Sequence, residues 1–146
     1  MTSAFDRAHT RRLTLLKSNP LWIGIDGTLD TRVEVPVTGP TGDRVGDIDL
    51  LVRTASRIIA VEYKLAYEPK HEHTRRRSAL SQLDRIDRRF AAVFGWSPDL
   101  VYAFGIPFAY EHVRSGSRFE SAPALADIAR ALGASDGFLN GGRRLS

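Results

Sequence analysis

The sequence contains no cysteine. Disulfide bonds, thiolate metal sites and cysteine nucleophiles are therefore excluded. No apolar stretch approaches the roughly 18 residues that would predict a membrane-spanning helix. The residues after Met1 are polar and basic, without the apolar core of a signal peptide. These absences predict a cytoplasmic protein with no membrane attachment.

Several catalytic signatures are also missing. We find no glycine-rich phosphate loop and no nucleophile elbow, which argues against P-loop nucleotide hydrolases and serine hydrolases. Internal repeats and long linkers are absent as well. A chain of 146 residues is enough for one modest core. We therefore predict a single domain over residues 1–146, with a loose tail over about residues 136–146.

The charge balance is basic, with 21 Lys and Arg residues against 17 Asp and Glu residues. The formal net charge of +4 favours a polyanionic partner, and nucleic acid is the first candidate. A solvated basic surface that maintains solubility would give the same balance. Charge alone does not choose between these interpretations.

Hydrophobic periodicity predicts a mixed architecture. We expect strands over residues 32–37, 46–52, 58–65, 100–105 and 108–114, and helices over residues 3–18, 74–94 and 123–132. Residues 21–44 are rich in Gly, Pro, Thr and Asp and are expected to form loops around one or two short strands. This order predicts the α/β class, with a mixed sheet flanked by helices.

The segment from Gly46 to Leu65 is the most informative, because two apolar runs flank a polar turn. Since side chains alternate faces along a strand, each run is expected to have one apolar face, with its acids on the opposite face. The apolar sets are Ile48, Leu50 and Val52 in the first run, and Ile59, Val61, Tyr63 and Leu65 in the second.

A tight turn at residues 55–56 would place Asp49 opposite Glu62 and Asp47 opposite Lys64. Cross-strand partners have Cβ atoms about 5 Å apart, so the Asp49 and Glu62 carboxylates would repel each other. A divalent cation between them relieves that repulsion, and Mg²⁺ prefers oxygen ligands of this kind. A lysine beside such a pair suits phosphodiester chemistry, because its ammonium group stabilises charge developing on the phosphate. The alternative is a hairpin whose outer face is simply charged and solvated.

At this point the residues resemble a known family. Gly46 to Val52, followed by Val61-Glu62-Tyr63-Lys64, is similar to the core of the PD-(D/E)XK nucleases. That superfamily includes many restriction enzymes, archaeal-type Holliday junction resolvases and RecB-like nucleases. The resemblance covers residues 46–94, about a third of the chain. It implies a restriction-endonuclease-like sheet and an endonuclease that hydrolyses DNA with Mg²⁺ or Mn²⁺.

The resemblance also implies roles for individual residues. Asp49 and Glu62 match the metal-binding acids, and the backbone carbonyl of Tyr63 matches a third metal ligand. Lys64 matches the catalytic lysine. Gln82 lies where several branches of the superfamily place an active-site glutamine, although a solvent-facing position on the helix fits the pattern equally well.

One feature departs from the family pattern. Many members carry a further acid, often Glu, on the first helix, whereas Asp6 is the only acid in residues 3–18. Glu34 is another candidate for that place. Asp47 competes with Asp49 as the acid of the first strand, and the spacing to Glu62 favours Asp49. Whether the site holds one metal ion or two therefore stays open.

Basic residues cluster after the Glu-x-Lys strand. We expect them to contact DNA phosphates, although a solvated helix start would also carry such residues. The candidates are Lys70, Arg75, Arg76, Arg77 and Arg85. Nearby His71 and His73 are expected at the surface, while Trp22 and Trp96 are expected in the core or at an interface.

The predicted partner is DNA, and a homodimer would suit the two-fold character of branched DNA. Structure-selective cutting in the manner of a Holliday junction resolvase is one subtype. Two other interpretations stay open at this stage. One is a DNA-binding module with weak or no cleavage, and the other is an accessory subunit of a restriction or mobile-element system.

Overall fold

A computed structural model describes residues 4–65, 71–105 and 107–134. These ranges contain the helices α1 (Ala4–Ser18), α2 (Glu72–Phe94) and α3 (Leu125–Leu132), and the strands β1 (Asp30–Thr38), β2 (Arg44–Arg53), β3 (Ile58–Lys64), β4 (Asp99–Phe104) and β5 (Ala109–Arg114). Each predicted helix and strand is present, with bounds shifted by a few residues. A short 3-10 helix, Pro20–Ile23, lies in the segment that we expected to be loop. The predicted loose tail, residues 136–146, falls outside the described residues.

The strands form one sheet in the order β1-β2-β3-β4-β5 across the described part of the chain. Neighbouring strands are antiparallel except β3 and β4, which are parallel. Parallel neighbours need a long crossover connection, and α2 supplies it here. The predicted α/β class with a mixed sheet is therefore confirmed.

The long helix α2 follows from its apolar stripe. Ala79, Leu83, Ile86 and Phe90 recur at helical spacing and are all buried. The helix ends at Gly95, whose φ of 78° gives the left-handed cap that glycine adopts without strain. Trp96 follows directly and packs against Phe90 at 5.2 Å between ring centroids, so the core position predicted for this tryptophan is confirmed.

Both faces of the sheet are buried, which corrects the expectation of one apolar face for each strand. On the first face, strand residues pack against α2 and α3; on the second, they pack against α1 and the 3-10 helix. In β3, for example, Ala60 belongs to the first cluster and Val61 to the second. Helices cover both faces of the sheet at its central strands, so β3 is apolar nearly throughout, whereas the edge strands β1 and β5 keep exposed side chains.

The side-chain alternation of β2 breaks at Asp49. Ile48 packs in the first cluster, whereas Leu50, two residues later, packs in the second. The neighbouring strand switches faces at the same level, between Val33 and Val35, where Glu34 has a positive φ of 53°. The predicted common face of Ile48 and Leu50 is therefore wrong. Both β1 and β2 therefore depart from regular strand geometry at the position of Glu34 and Asp49.

The predicted register of β2 and β3 is confirmed over the pairs from Leu50 with Val61 to Arg53 with Ile58. A tight turn closes the hairpin, because the Thr54 amide donates to the Arg57 carbonyl at 3.0 Å. The regular ladder ends at Leu50, one residue after Asp49 in β2.

The predicted partnership of Asp47 with Lys64 does not form. Asp47 makes an ion pair with Arg44, whereas Lys64 pairs with Glu62. The reason is that β2 leaves the regular ladder with β3 before it reaches Asp47.

The two-sided core makes a prediction about stability. Leu51 is fully buried between β2 and the helices of the first face, so Leu51→Ala should lower the free energy of unfolding by about 2–5 kcal/mol. Leu29 is 60% exposed just before β1, and Leu29→Ala should change it by less than about 0.5 kcal/mol. Urea titration of both variants measures the difference. Equal losses would contradict this description of the core.

Candidate functional site

The candidate site lies where β2 and β3 separate. The Oδ2 atom of Asp49 accepts a hydrogen bond of 2.8 Å from the backbone amide of Tyr63. The Asp49 side chain thus accepts the hydrogen bond that a backbone carbonyl of β2 would accept in a regular ladder. This bond holds the Asp49 side chain against β3, although the backbone pairing of the two strands has ended at Leu50. Asp49 is only 9% exposed, so its carboxylate is largely shielded from bulk water.

Glu62 shares this enclosed position. It is 6% exposed, and its Oε2 atom has no hydrogen-bond partner among the described residues. Burial, followed by the nearby Asp49 carboxylate, raises the pKa of Glu62 to about 9. At neutral pH without a cation, Glu62 therefore holds a proton. A bound cation would favour its ionised form instead.

Lys64 is the third predicted residue at the site. Its Nζ atom lies 3.6 Å from the Oε1 atom of Glu62, and its side chain is 27% exposed. The Lys64 side chain therefore contacts the buried Glu62 carboxyl group and is also partly accessible to solvent. Because Lys64 lies at the end of β3, its ammonium group can approach a phosphate arriving from outside.

Histidine 9 completes the site and was not anticipated from the sequence. Its Nε2 atom lies 3.0 Å from the Tyr63 carbonyl oxygen and 3.7 Å from the Oδ2 atom of Asp49. The Asp49 carboxylate raises the pKa of His9 above its usual value by favouring the charged imidazole, whereas partial burial acts in the opposite direction. A sequence signal existed, because His9 falls on the same helical stripe as the buried Leu13 and Leu16.

The donors fit a hard divalent cation. The Asp49 carboxylate lies beside both Glu62 and Tyr63, and the unsatisfied Oε2 atom of Glu62 would gain a partner if a cation bound. Mg²⁺ is commonly held by one or two carboxylates and keeps several waters. Within the described residues, no group of three or more His, Asp and Glu side chains forms a metal-holding cluster. The fit therefore depends on the backbone oxygen and on water.

The other proposed acids do not join these residues. Glu34 is exposed and accepts a hydrogen bond of 3.4 Å from the Thr10 hydroxyl, although its backbone lies level with Asp49. Asp47 is paired with Arg44. The side chain of Asp6 is outside the described part of the structure.

Gln82 lies against strand β2 and is not fully exposed to solvent. Its side-chain amide packs over Gly46 in β2, where a Cβ atom on residue 46 would collide with it. Gly46 precedes Asp49 by three residues in β2, and the Gln82 side chain is half-buried there. Gln82 thus approaches the strand that carries the first acid, and Gly46 provides the space.

The predicted DNA-binding residues separate into different environments. Arg75 lines a cavity of about 310 Å³ together with Lys64, His71, Thr74 and Ser78. Arg85, Arg77 and His73 are exposed, and Arg77 lies 3.2 Å from the His73 ring. Lys70 is outside the described residues.

Arg76 is committed to another residue. It donates two hydrogen bonds of 3.0 and 2.8 Å to Glu111 in β5, which lowers the pKa of Glu111 below its usual value. This paired guanidinium ties the start of α2 to the sheet. Its positive charge is balanced by Glu111 in this structure.

The cavity beside Lys64 is not the largest one. A cavity of about 350 Å³ lies at the other end of β3 and β4, with Arg57, Asp99 and Tyr110 in its walls. The Arg57 guanidinium and the Asp99 carboxylate are joined by a hydrogen bond of 3.0 Å. That cavity contains none of the site residues, so its size is no guide to the candidate chemistry.

No helix in the described ranges is both long and apolar enough to cross a membrane.

Comparisons with known proteins give little further information. No known protein family and no curated protein matches this chain. Among solved structures, the crystal structure of SSO0001 is similar, with a TM-score of 0.45 and 16% sequence identity. The alignment covers 86% of this chain and 55% of that one, so this chain spans about half the length of that structure. A likeness of this degree carries no argument about function.

The raised pKa of Glu62 predicts a pH dependence of stability. Between the usual carboxyl pKa and about 9, the folded state holds a proton that the unfolded state has released. Stability without metal therefore falls as the pH rises through this range. Glu62→Gln removes the titration, so its advantage over the wild type should grow by more than about 1 kcal/mol, or about 3 °C in Tm, from pH 5.5 to 8.5.

Thermal melts in EDTA at both pH values measure this difference. Asp47→Asn is the matched control, because it changes an acid of β2 that is paired and largely accessible. That variant should follow the wild-type pH dependence. Parallel curves for the wild type and Glu62→Gln would refute a protonated Glu62.

Proposed function

We propose that this chain is a metal-dependent endonuclease that hydrolyses DNA phosphodiester bonds. The observation that carries the proposal is the meeting of Asp49, Glu62 and the Tyr63 carbonyl beside Lys64 at one edge of the sheet. The resemblance of residues 46–64 to the PD-(D/E)XK core assigns the same four residues. Sequence and geometry thus support one chemistry by separate arguments.

The residues divide the work. Asp49, Glu62 and the Tyr63 carbonyl oxygen would hold Mg²⁺ or Mn²⁺, with water completing the coordination. The bound metal would polarise the phosphate and lower the pKa of a water ligand. Glu62 would hold the cation as a carboxylate, because the positive charge of the metal would favour the ionised form over the protonated one. Lys64 then faces the phosphate with its ammonium group and stabilises negative charge there.

We assign His9 a positioning role at this centre. Its imidazole contacts the Tyr63 carbonyl and lies close to Asp49, which are two of the proposed ligands. It stands on the first helix, where the family pattern would place a further acid. An imidazole there can fix these oxygens in place, and its neutral form can itself bind a divalent metal.

The DNA would approach over the cavity beside Lys64. Arg75 and His71 line that cavity and offer positive charge to the phosphates on either side of the cut. Exposed Arg77 and Arg85 extend the basic surface of α2. A homodimer that acts on branched DNA, as a Holliday junction resolvase does, stays a prediction of the sequence.

One observation favours a second candidate function. In the described residues the site lacks a cluster of three metal-binding side chains, and His9 already contacts the Tyr63 carbonyl. A DNA-binding module without efficient cleavage, or an accessory subunit activated by a partner, would have such a site. Cleavage by the purified chain separates these possibilities.

The deciding experiment measures cleavage of labelled linear duplex, single-stranded and four-way-junction DNA with Mg²⁺, Mn²⁺ or EDTA. We expect metal-dependent cutting that falls at least about 100-fold in Asp49→Asn and in Lys64→Ala, because each removes a charge that acts directly at the phosphate or metal. The matched controls are Asp127→Asn and Arg130→Ala, which alter an exposed ion pair on α3. Both should cut at wild-type rates.

The pattern of results identifies the function. Preference for the four-way junction would establish the resolvase-like subtype. Folded wild-type protein that binds DNA but cuts none of the substrates with either metal would reject the nuclease proposal and favour the binding module or accessory subunit.

A further inference from the structure

Three aromatic side chains at the surface lie beside the 3-10 helix. Trp22, in the 3-10 helix, is 51% exposed, and Tyr110, in β5, is 49% exposed. The half-buried Phe108 stacks on Trp22 with 5.9 Å between the ring centroids. Tyr110 packs against Gly24, two residues after Trp22, where its hydroxyl oxygen would lie 2.7 Å from a Cβ atom. We call Trp22, Phe108 and Tyr110 the aromatic strip.

The strip lies close to the proposed active site. The fully buried ring of Tyr63 lies 5.5 Å from that of His9 on one side and 5.5 Å from that of Phe108 on the other. Trp22 follows Phe108 in the same series of contacts. His9 and Phe108 are both half-buried, so each reaches the surface on its own side of the Tyr63 ring.

Positive charge borders the strip. The guanidinium of Arg12 lies 5.6 Å from the centre of the Phe108 ring, and Arg12 is one helical turn from His9 along α1. From Arg7 to Ser18, every charged residue of α1 is basic. The exposed Asp26 lies near the far end of the strip, beside Gly24 and Tyr110 in the wall of the large cavity.

This combination indicates the occupant. Exposed rings stack on nucleobases, and arginines beside them neutralise phosphates, which is how proteins bind single strands without reading the sequence. The bases of a duplex are already stacked on each other and cannot lie on these rings. A second copy of this chain would bring the basic α1 surface against itself, so charge favours a polyanion over a homodimer.

We propose that the aromatic strip binds single-stranded DNA, with bases on Trp22 and Tyr110 and a phosphate at Arg12. The strand then continues past Phe108 to the site of cleavage. This last step rests on the proposed nuclease function, whereas binding to the strip does not. The substrate class that follows is DNA with a single-stranded segment next to the cut.

Binding is tested in EDTA, where no cleavage occurs, with a labelled oligothymidylate of 15 nucleotides and a duplex of the same length, by fluorescence anisotropy. Trp22→Ala and Tyr110→Ala should each weaken single-strand affinity about 10-fold and duplex affinity less than about 2-fold. Leu29→Ala, which removes an equally exposed apolar side chain away from the strip, should leave both unchanged.

Tryptophan fluorescence gives a second measurement. The chain has two tryptophans, and Trp96 is packed among Phe90, Phe94 and Phe119. In Trp96→Phe the remaining signal comes from Trp22, and oligothymidylate should quench it through stacking. Unchanged Trp22 fluorescence on saturation with the oligonucleotide would overturn the proposal.

Other outcomes are equally decisive. Equal losses for single strand and duplex would overturn the proposal. A dimer that Trp22→Ala converts to monomer, with unchanged single-strand affinity, would assign the strip to a second copy of the chain. Strip-dependent binding by wild-type protein that never cuts DNA would support this inference while refuting the nuclease function. Normal cutting with unchanged single-strand affinity in Trp22→Ala would do the reverse.

Discussion

The hydrogen bond from the Tyr63 amide to the Asp49 carboxylate is the contact on which the rest of the site depends. It replaces the next link of the β2–β3 ladder and allows the two strands to separate without leaving a buried amide unpaired. The separation leaves room at this edge of the sheet for Glu62, and it leaves the Tyr63 carbonyl accessible to His9. One side chain thus ends the regular sheet and begins the candidate chemistry.

The sequence predicted the parts of this arrangement that depend on local patterns. Helical spacing identified α2, and the short polar turn set the register of β2 and β3 from Arg53 with Ile58 to Leu50 with Val61. The break in alternation at Asp49 was not predictable, because it depends on Glu34 adopting a left-handed backbone in the neighbouring strand. His9 was missed for a related reason, since its contact with Tyr63 joins positions 54 residues apart.

Charge is balanced by different means among the buried residues of the site and among the more exposed residues around it. Inside, proximity of Asp49 and Glu62 is tolerated because burial and the Asp49 carboxylate raise the pKa of Glu62 to about 9, so that Glu62 keeps a proton. Outside, Arg76 is neutralised by Glu111, while Arg75 lines the cavity beside Lys64. The arginines at the start of α2 therefore lie in different environments, a difference that composition alone does not reveal.

The placement of His9 on α1 ties the candidate site to the packing of that helix. Leu13 and Leu16 dock α1 on the second face of the sheet, and the same docking sets His9 against Tyr63. A substitution that shifts the helix would therefore shift the imidazole with it. The Asp49 and Tyr63 oxygens would then lose the same neighbour together, although both belong to the sheet and not to the helix.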